Sequence, residues 1–212
     1  MRQQAERLRW ARAALSENID WTNVSFADEK VWLCDGPARR PKLWYDKRDA
    51  PLVLPRKGAV SKSLAVWGAF SVDRAPDLQL VPTHINSEQY CNVIEAGLLP
   101  GWSKRKHTLY HDRLTSHHSK KTEQWISEHG LRAKLLPPKS ADLNPIENLW
   151  GILSRRVYAE TITYDTTQSL FAAVKAGWES IQKDRALRVK LAGSMVNRLK
   201  QVIQRKGQFT DF

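Results

Sequence analysis

The chain has 212 residues, enough to bury one sizeable hydrophobic core, and nothing in its composition suggests a second domain. Its 34 Lys and Arg against 22 Asp and Glu give a net charge of +12, which indicates a polyanionic partner such as nucleic acid. A charged start, no apolar run of about eighteen residues and only two cysteines argue against a signal peptide, a membrane span and a disulfide scaffold. We therefore expect one soluble, intracellular domain over residues 1–212.

Hydrophobic periodicity predicts alternating strands and helices over the first two thirds of the chain. Apolar residues at every second position predict strands, and apolar residues three or four positions apart predict helices. The predicted strands are 24–33, 42–45, 63–71, 78–81, 108–112 and 133–136, the predicted helices are 4–17, 87–96 and 120–128, and a basic loop is predicted at 46–62. This order indicates an α/β protein with a mixed sheet flanked by helices.

The last third of the chain is predicted to be helical. Asn144 can cap a helix that Pro145 opens, because proline suits the first helical position. Leu149, Trp150 and further apolar residues follow at helical spacing, so that Glu147 lies in the first turn at the edge of the buried stripe. Two more helices are predicted at 167–181 and 184–204.

Glu147 has two interpretations on local sequence. Its carboxylate can be a metal ligand fixed at the start of a helix. Alternatively, an Asn followed three residues later by Glu is a variant of the capping box, in which the carboxylate returns to the amide of Asn144 for stability alone.

Five segments of the chain together carry a family pattern. They are 24–30 with Asp28, 34–37, 66–70, 110–119 with Asp112 and His117, and 140–151 with Glu147, and thirty-four residues separate Asp112 from Glu147. In these segments the chain resembles the catalytic domain of Tc/mariner-type transposases, in the branch whose Asp, Asp, Glu triad has that last spacing. The segment 140–151 is the strongest match and departs from the family only at Ala141, where proline is usual.

The resemblance implies an RNase H-like mixed sheet with a helical C-terminal segment, in which distant carboxylates converge at one side of the sheet. It implies that Asp28, Asp112 and Glu147 are catalytic and bind two Mg2+ or Mn2+ ions, with both aspartates on both ions and Glu147 on one. Water would nick the transposon end, and the freed 3′-hydroxyl would attack target DNA. A nuclear homodimer in a synaptic complex with DNA is expected, without the helix-turn-helix region that precedes this domain in full-length relatives.

The residues around these carboxylates have predicted roles of their own. His117 and Asn144 are expected beside the site, Glu29 is expected to be solvated on the opposite face of its strand, and Asp142 is expected to form local backbone hydrogen bonds. A zinc site at the neighbouring histidines is disfavoured because no cysteine pair or second histidine motif accompanies them. The predicted DNA contacts are Arg39, Arg40, Lys104, Arg105, Lys106, Arg113, Lys120 and Lys121.

Arg113 can take two orientations. It can pair with Asp112, where it would compete with a metal, or turn outward and bind a DNA phosphate. The outward orientation is favoured because a buried guanidinium would add positive charge where two cations must bind.

Two functions from different classes stay open. The first is a cut-and-paste transposase, favoured by the retention of all three carboxylates. The second is a domesticated derivative that binds DNA or a host protein with little catalysis. It is favoured by Arg113 and Leu114, where the family usually has Asn and a small residue, and by a Gly-rich stretch that is replaced by residues 57–62.

Overall fold

Five strands form one mixed sheet in the centre of the protein. The computed structural model describes residues 2–37, 62–102, 107–159 and 163–212. The strands are β1 Val24–Leu33, β2 Ser63–Phe70, β3 Gln79–Val81, β4 Thr108–His111 and β5 Ala133–Leu135, in the order β3-β2-β1-β4-β5. Strands β1, β4 and β5 are parallel, whereas β2 and β3 pair antiparallel. The predicted strand 42–45 and the predicted loop 46–62, except for its last residue, lie outside the described residues.

Seven α-helices flank this sheet within the described ranges. They are α1 Arg2–Ser16, α2 Ser87–Val93, α3 Lys120–Glu128, α4 Ile146–Val157, α5 Thr167–Lys183, α6 Arg185–Gly193 and α7 Met195–Gln204. The helix predicted over 87–96 is regular only as far as Val93, and a π-helical turn at Ile94–Leu98 follows it. None of the helices in these ranges is long and apolar enough to span a membrane.

The prediction of one continuous helix over 184–204 is wrong. The chain breaks between α6 and α7 at Ser194, directly after Gly193. The Ser194 hydroxyl donates a hydrogen bond to the carbonyl of Leu191 at 2.6 Å, which offers the backbone an alternative to the regular helical ladder. Apolar periodicity continues across this break, so periodicity alone could not reveal it.

Side chains of β1 point alternately into two hydrophobic cores, one on each face of the sheet. Phe26 and Trp32 belong to the larger core, under helices α1, α4, α5, α6 and α7. Ala27 belongs to the smaller core, under α2 and α3. Because successive side chains of a strand face opposite sides, Asp28 faces the α4 side of the sheet and Glu29 faces the α2 and α3 side.

Helix α4 packs closely on the sheet because β2 has a glycine beneath it. Gly68 pairs with Asp28 across the antiparallel ladder. A Cβ atom at Gly68 would lie 2.6 Å from Cη2 of Trp150, which is fully buried on α4. The missing side chain therefore lets α4, which carries Glu147 in its first turn, approach β1.

Candidate active site

The three predicted carboxylates line one cleft of about 340 Å³ beside β1 and the end of β4. Asp28 lies on β1, Asp112 directly follows β4, and Glu147 lies in the first turn of α4. Strands β1 and β4 are parallel neighbours in which Phe26 pairs with Tyr110. Each aspartate comes two residues after its member of that pair, so the sheet register brings the two aspartates to the same level.

Asp28 is the electrostatic centre of this cleft. Burial raises the pKa of Asp28 well above its usual range, and the negative charges of Glu147, Glu29 and Asp112 raise it further. Carboxylates that repel one another at a partly buried site are a suitable environment for a divalent cation, which would relieve the repulsion. The donor set consists of oxygen atoms, which hard cations such as Mg2+ and Mn2+ prefer.

Within the described ranges, no three His, Cys, Asp or Glu side chains are arranged as ligands of one metal ion. A Mg2+ ion takes only one or two protein carboxylates at sites of this kind, and water and phosphate oxygens supply the remaining ligands. An oxygen donor set that lines an open cleft therefore fits a hard divalent cation whose coordination is completed by water and phosphate oxygens.

His117 connects Asp112 with Glu29. Its Nδ1 lies 2.7 Å from Oδ1 of Asp112, and its Nε2 lies 3.2 Å from Oε1 of Glu29. Burial would lower the pKa of His117, but the contacts with Asp112 and Glu29 outweigh burial and raise it to about 9. Burial likewise opposes ionisation of Asp112, whereas His117 and the amide of Leu114 lower the pKa of that carboxyl.

Glu29 is therefore a residue of the site that the sequence reasoning missed. It faces the opposite side of β1 from Asp28, as predicted, but the prediction that it is solvated is wrong, because its side chain is only 13% exposed. The acidic residue that follows Asp28 and the histidine after Asp112 were the available signals. Their pairing depends on residues 88 positions apart.

The three neighbouring histidines have separate partners. Nδ1 of His111 lies 2.7 Å from the hydroxyl of Tyr90, and burial lowers the pKa of His111 to about 3, so its ring is neutral. His118 contacts the carbonyl of Leu114 through Nδ1 at 2.8 Å. These contacts, together with those of His117, leave the zinc interpretation without support.

Asn144 attaches the start of α4 to β1, although not as the predicted helix cap. Its amide Nδ2 donates to the carbonyl of Ala27 at 3.1 Å, directly before Asp28. No side-chain cap is formed at this helix start, and the backbone N–H of Asn144 donates to Ala141 instead of to Glu147. The capping-box interpretation of Glu147 is therefore wrong, and its carboxylate lines the cleft.

Asp142 is not the local turn residue that was predicted. Both of its carboxylate oxygens accept hydrogen bonds from the guanidinium of Arg7, at 2.8 and 2.7 Å, and Oδ2 also accepts from the amide of Thr210. Arg7 is 3% exposed, so this is a buried, bidentate ion pair. It joins α1 and the C-terminal segment to the turn that precedes α4.

The predicted basic residues that the structure describes differ in their surroundings. Arg113 is exposed, lines the cleft, and donates through Nε to the carbonyl of Leu136 at 3.1 Å. Lys120 is exposed at the start of α3, and the neighbouring Lys121 pairs with Glu88 at 2.9 Å. Lys139, which was not predicted, also lines the cleft. The other predicted contacts, Arg39, Arg40, Lys104, Arg105 and Lys106, lie outside the described residues.

Comparison with known proteins identifies a family and several relatives of this chain. Residues 23–170 match the family model of the DDE superfamily endonucleases. The chain is 37% identical over 205 residues to the Tc3 transposase of Caenorhabditis elegans, an alignment that covers 95% of this chain and 61% of that protein. It is 27% identical over 216 residues to the Tc1 transposase of the same organism, covering 97% of this chain and 74% of that protein.

Solved structures share the fold at low sequence identity. The mariner Mos1 paired end complex with Mg superposes with a TM-score of 0.82 at 16% identity, covering 100% of this chain and 64% of that one. The catalytic domain of Mos1 mariner transposase superposes with a TM-score of 0.70 at 15% identity, covering 99% and 96%. These likenesses confirm the RNase H-like architecture, and the family match spans the strands, helix and carboxylates described above. The chain belongs to the DDE superfamily endonucleases.

Proposed function

We propose that this chain is the catalytic domain of a cut-and-paste DNA transposase, which cleaves phosphodiester bonds at transposon ends and joins the freed 3′ ends to target DNA. The observation that carries the proposal is the cleft in which the half-buried Asp28 lies beside Glu147 and Asp112. The chain spans 61% of the length of the Tc3 transposase, so the proposal concerns the reaction centre and not the whole of such a protein.

The three carboxylates would hold two Mg2+ or Mn2+ ions. When bound, such ions neutralise charge on the reacting phosphate and favour a deprotonated nucleophile. The chain itself supplies the ligands and their orientation: His117 holds Asp112, the hydrogen bond from Asn144 to Ala27 holds the start of α4 beside β1, and Gly68 lets that helix approach. Arg113 and Lys139 at the cleft are placed to bind DNA phosphates.

DNA is the proposed substrate and partner, and the nucleus the proposed location. The net charge of +12 supports DNA binding. The Mos1 structures include paired-end and strand transfer complexes, which supports a synaptic homodimer as the proposed working form of this chain. Sequence-specific base contacts are not expected from the cleft, because phosphate contacts position DNA without specifying its sequence.

The alternative of a domesticated, non-catalytic derivative has no observation in its favour. It was motivated in part by Arg113, which could have occupied the metal site. The described contacts of Arg113 are with the carbonyl of Leu136 and include no ion pair with Asp112. The described contacts of Arg113 therefore give no sign that it occupies the metal site.

A cleavage assay tests the proposed function. The protein is incubated with a labelled duplex carrying a transposon end, with Mg2+, Mn2+ or EDTA, and nicked product is followed on a denaturing gel. We expect product only with a divalent ion, and a large loss of product with Asp28→Asn or Glu147→Gln. Folded wild-type protein that binds DNA but yields no product with either ion would contradict the proposal.

Salt dependence tests the DNA contacts separately from the chemistry. Affinity for duplexes of unrelated sequence should fall steeply between about 50 and 200 mM salt, because binding releases counterions from the phosphates. Fluorescence anisotropy with two unrelated duplexes measures this. Tight binding to one sequence that is insensitive to salt would show that the chain reads bases by itself.

A further inference from the structure

A buried arginine on α7 holds the segment that carries Glu147. Arg198 is 1% exposed. Its Nη1 donates to the backbone carbonyl of Asp142 at 2.6 Å, its Nη2 donates to Oδ1 of Asn148 at 2.6 Å, and its Nε donates to the hydroxyl of Ser194 at 2.9 Å. Each of the three guanidinium nitrogens thus donates a hydrogen bond. Burial lowers the pKa of Arg198 to about 10, so that the group stays charged at neutral pH.

The two acceptors near α4, Asp142 and Asn148, lie on either side of Glu147 in the sequence. Asp142 is in the turn before α4, and Asn148 directly follows Glu147 in the first turn of the helix. One rigid, planar side chain therefore spans the bend at which the turn becomes the helix. The start of α4 has no side-chain cap of its own, so this external contact supplies part of the missing constraint.

The turn is held from its other side as well. The Asp142 carboxylate binds Arg7 and the amide of Thr210, while Arg7 also donates to the carbonyl of Lys139 at 3.0 Å. Lys139 has a φ of 52°, a left-handed conformation that a residue with a side chain adopts at a cost. Since this turn forms one wall of the carboxylate cleft, the contacts fix the wall and Glu147 together.

We propose that Arg198 is a positioning residue that sets the orientation of Glu147 relative to Asp28 and Asp112. The inference rests on the proposed function and deepens it, because it makes the geometry of the carboxylate site depend on a helix near the C-terminus. Arg198 does not line the cleft and has no role in the chemistry itself. It acts through Asp142 and Asn148.

The first test is Arg198→Lys, with Arg188→Lys as its matched control. Lysine keeps the charge but cannot bind both acceptors in a fixed fork. Arg188 is also buried, at 4% exposed, and also donates to backbone carbonyls, those of Ile181 and Gln182, but these lie far along the chain from Glu147. Thermal unfolding of both variants gives the loss of stability against which the other measurements are compared.

Two measurements on these variants separate positioning from stability. Hydrogen–deuterium exchange of the metal-free protein should become faster in the peptide covering residues 139–150 of Arg198→Lys, and not in that peptide of Arg188→Lys. Titration calorimetry with Mn2+ should show binding about tenfold weaker for Arg198→Lys, the size expected when a residue that orients a ligand is changed. Unchanged exchange and Mn2+ affinity in Arg198→Lys, or equal changes in Arg188→Lys, would overturn the proposal.

Asn148→Ala provides a second test if Arg198→Lys does not fold. It removes the acceptor next to Glu147 and leaves the contact of Arg198 with Asp142 intact. The same local exchange and weaker Mn2+ binding are expected, and wild-type values for both would overturn the proposal. Failure of the wild-type chain to bind Mn2+ would instead count against the proposed function, while the metal-free exchange still decides the role of Arg198.

Discussion

Asp28 and Asp112 reach the cleft by a different route from Glu147. Asp28 lies within β1 and Asp112 directly follows β4, and the parallel ladder of these two strands pairs Phe26 with Tyr110, so backbone hydrogen bonds of the sheet fix the separation of the two aspartates. Glu147 lies on a helix that takes no part in the backbone hydrogen bonds of the sheet. Its position depends on side-chain contacts, among them those of Trp150 with the sheet at Gly68 and of Arg198 with the turn.

This difference shows which carboxylates are hard to displace and which one is easy to displace. Moving either aspartate requires a shift of the sheet register, which would turn every side chain of the strand to the other face. Moving Glu147 requires only a small tilt of α4. Distant substitutions should therefore affect the site mainly through Glu147, and the following experiments test this asymmetry.

The largest effect should come from Asp28→Asn, because Asp28 is the carboxylate that the other acidic residues surround. We expect cleavage to fall by roughly a thousandfold, as a lost metal ligand removes several kcal/mol of transition-state stabilisation. Without metal, the same variant should unfold at a higher temperature than wild type, because burial and the charges of Glu147, Glu29 and Asp112 disfavour the ionised Asp28 side chain. Single-turnover cleavage and thermal unfolding check both effects, and a lower unfolding temperature would contradict the electrostatic explanation.

The next effect should come from Gly68→Ala. The added Cβ would lie 2.6 Å from Trp150 and 2.9 Å from Leu78, so α4 must move away from β2. We expect a loss of about 1–3 kcal/mol in the free energy of unfolding, typical of an overpacked core. Cleavage should fall by roughly a hundredfold, because a displacement near 1 Å is enough for such a loss. Urea unfolding and cleavage rates measure the two quantities.

Gly151→Ala is the matched control on α4 itself. A Cβ at Gly151 would meet only Nη1 of Arg155, at 3.8 Å, and alanine is the better helix former. We expect this variant to gain about 0.5–1 kcal/mol in stability and to cleave at the wild-type rate. Equal cleavage losses in Gly68→Ala and Gly151→Ala would show that the position of α4 is not what Gly68 controls.

A smaller effect should come from the strand side of the site, at Glu29. Glu29→Ala removes the acceptor for Nε2 of His117 and should let the ring turn away from Asp112, with a loss of about tenfold in cleavage. Glu29→Gln keeps an oxygen acceptor and should retain most of the activity. Single-turnover rates at saturating Mn2+ distinguish the two variants. If Gln were as harmful as Ala, the charge of Glu29 and not its alignment of His117 would be the cause.

The smallest effect should come from Arg113→Asn. Because Arg113 is exposed and contacts the carbonyl of Leu136, its loss should leave the carboxylates in place. Affinity for DNA should fall severalfold, and the slope of its salt dependence should decrease by about one. Mn2+ affinity should stay at the wild-type value in calorimetry, with the exposed Arg185→Asn on α6 as a control for general charge loss. A large gain in Mn2+ affinity would show that the arginine occupies the metal site.

Local sequence patterns were sufficient for most of the secondary structure. Alternation predicted β1 at 24–33, and the apolar stripe from Ile146 predicted α4, because these patterns record which face of each element is buried. The break at Ser194 was missed because the apolar stripe continues through it. Only the structure showed that β1 and β4 are parallel neighbours, since pairing between distant strands leaves no mark in either strand alone.

By itself, the sequence determined the family, the mixed α/β fold and the three carboxylates, because motif spacing and periodicity are properties of the chain. Only the tertiary structure decided the partners that hold these carboxylates. Glu29 with His117, Asn144 with Ala27, and Arg7 with Asp142 meet across 88, 117 and 135 residues. A hydrogen bond depends on distance and angle in space, whereas local sequence shows only which groups are neighbours along the chain. For this reason turn and cap roles were expected of Asp142 and Asn144. In the folded chain both side chains instead bind distant elements that pack beside them.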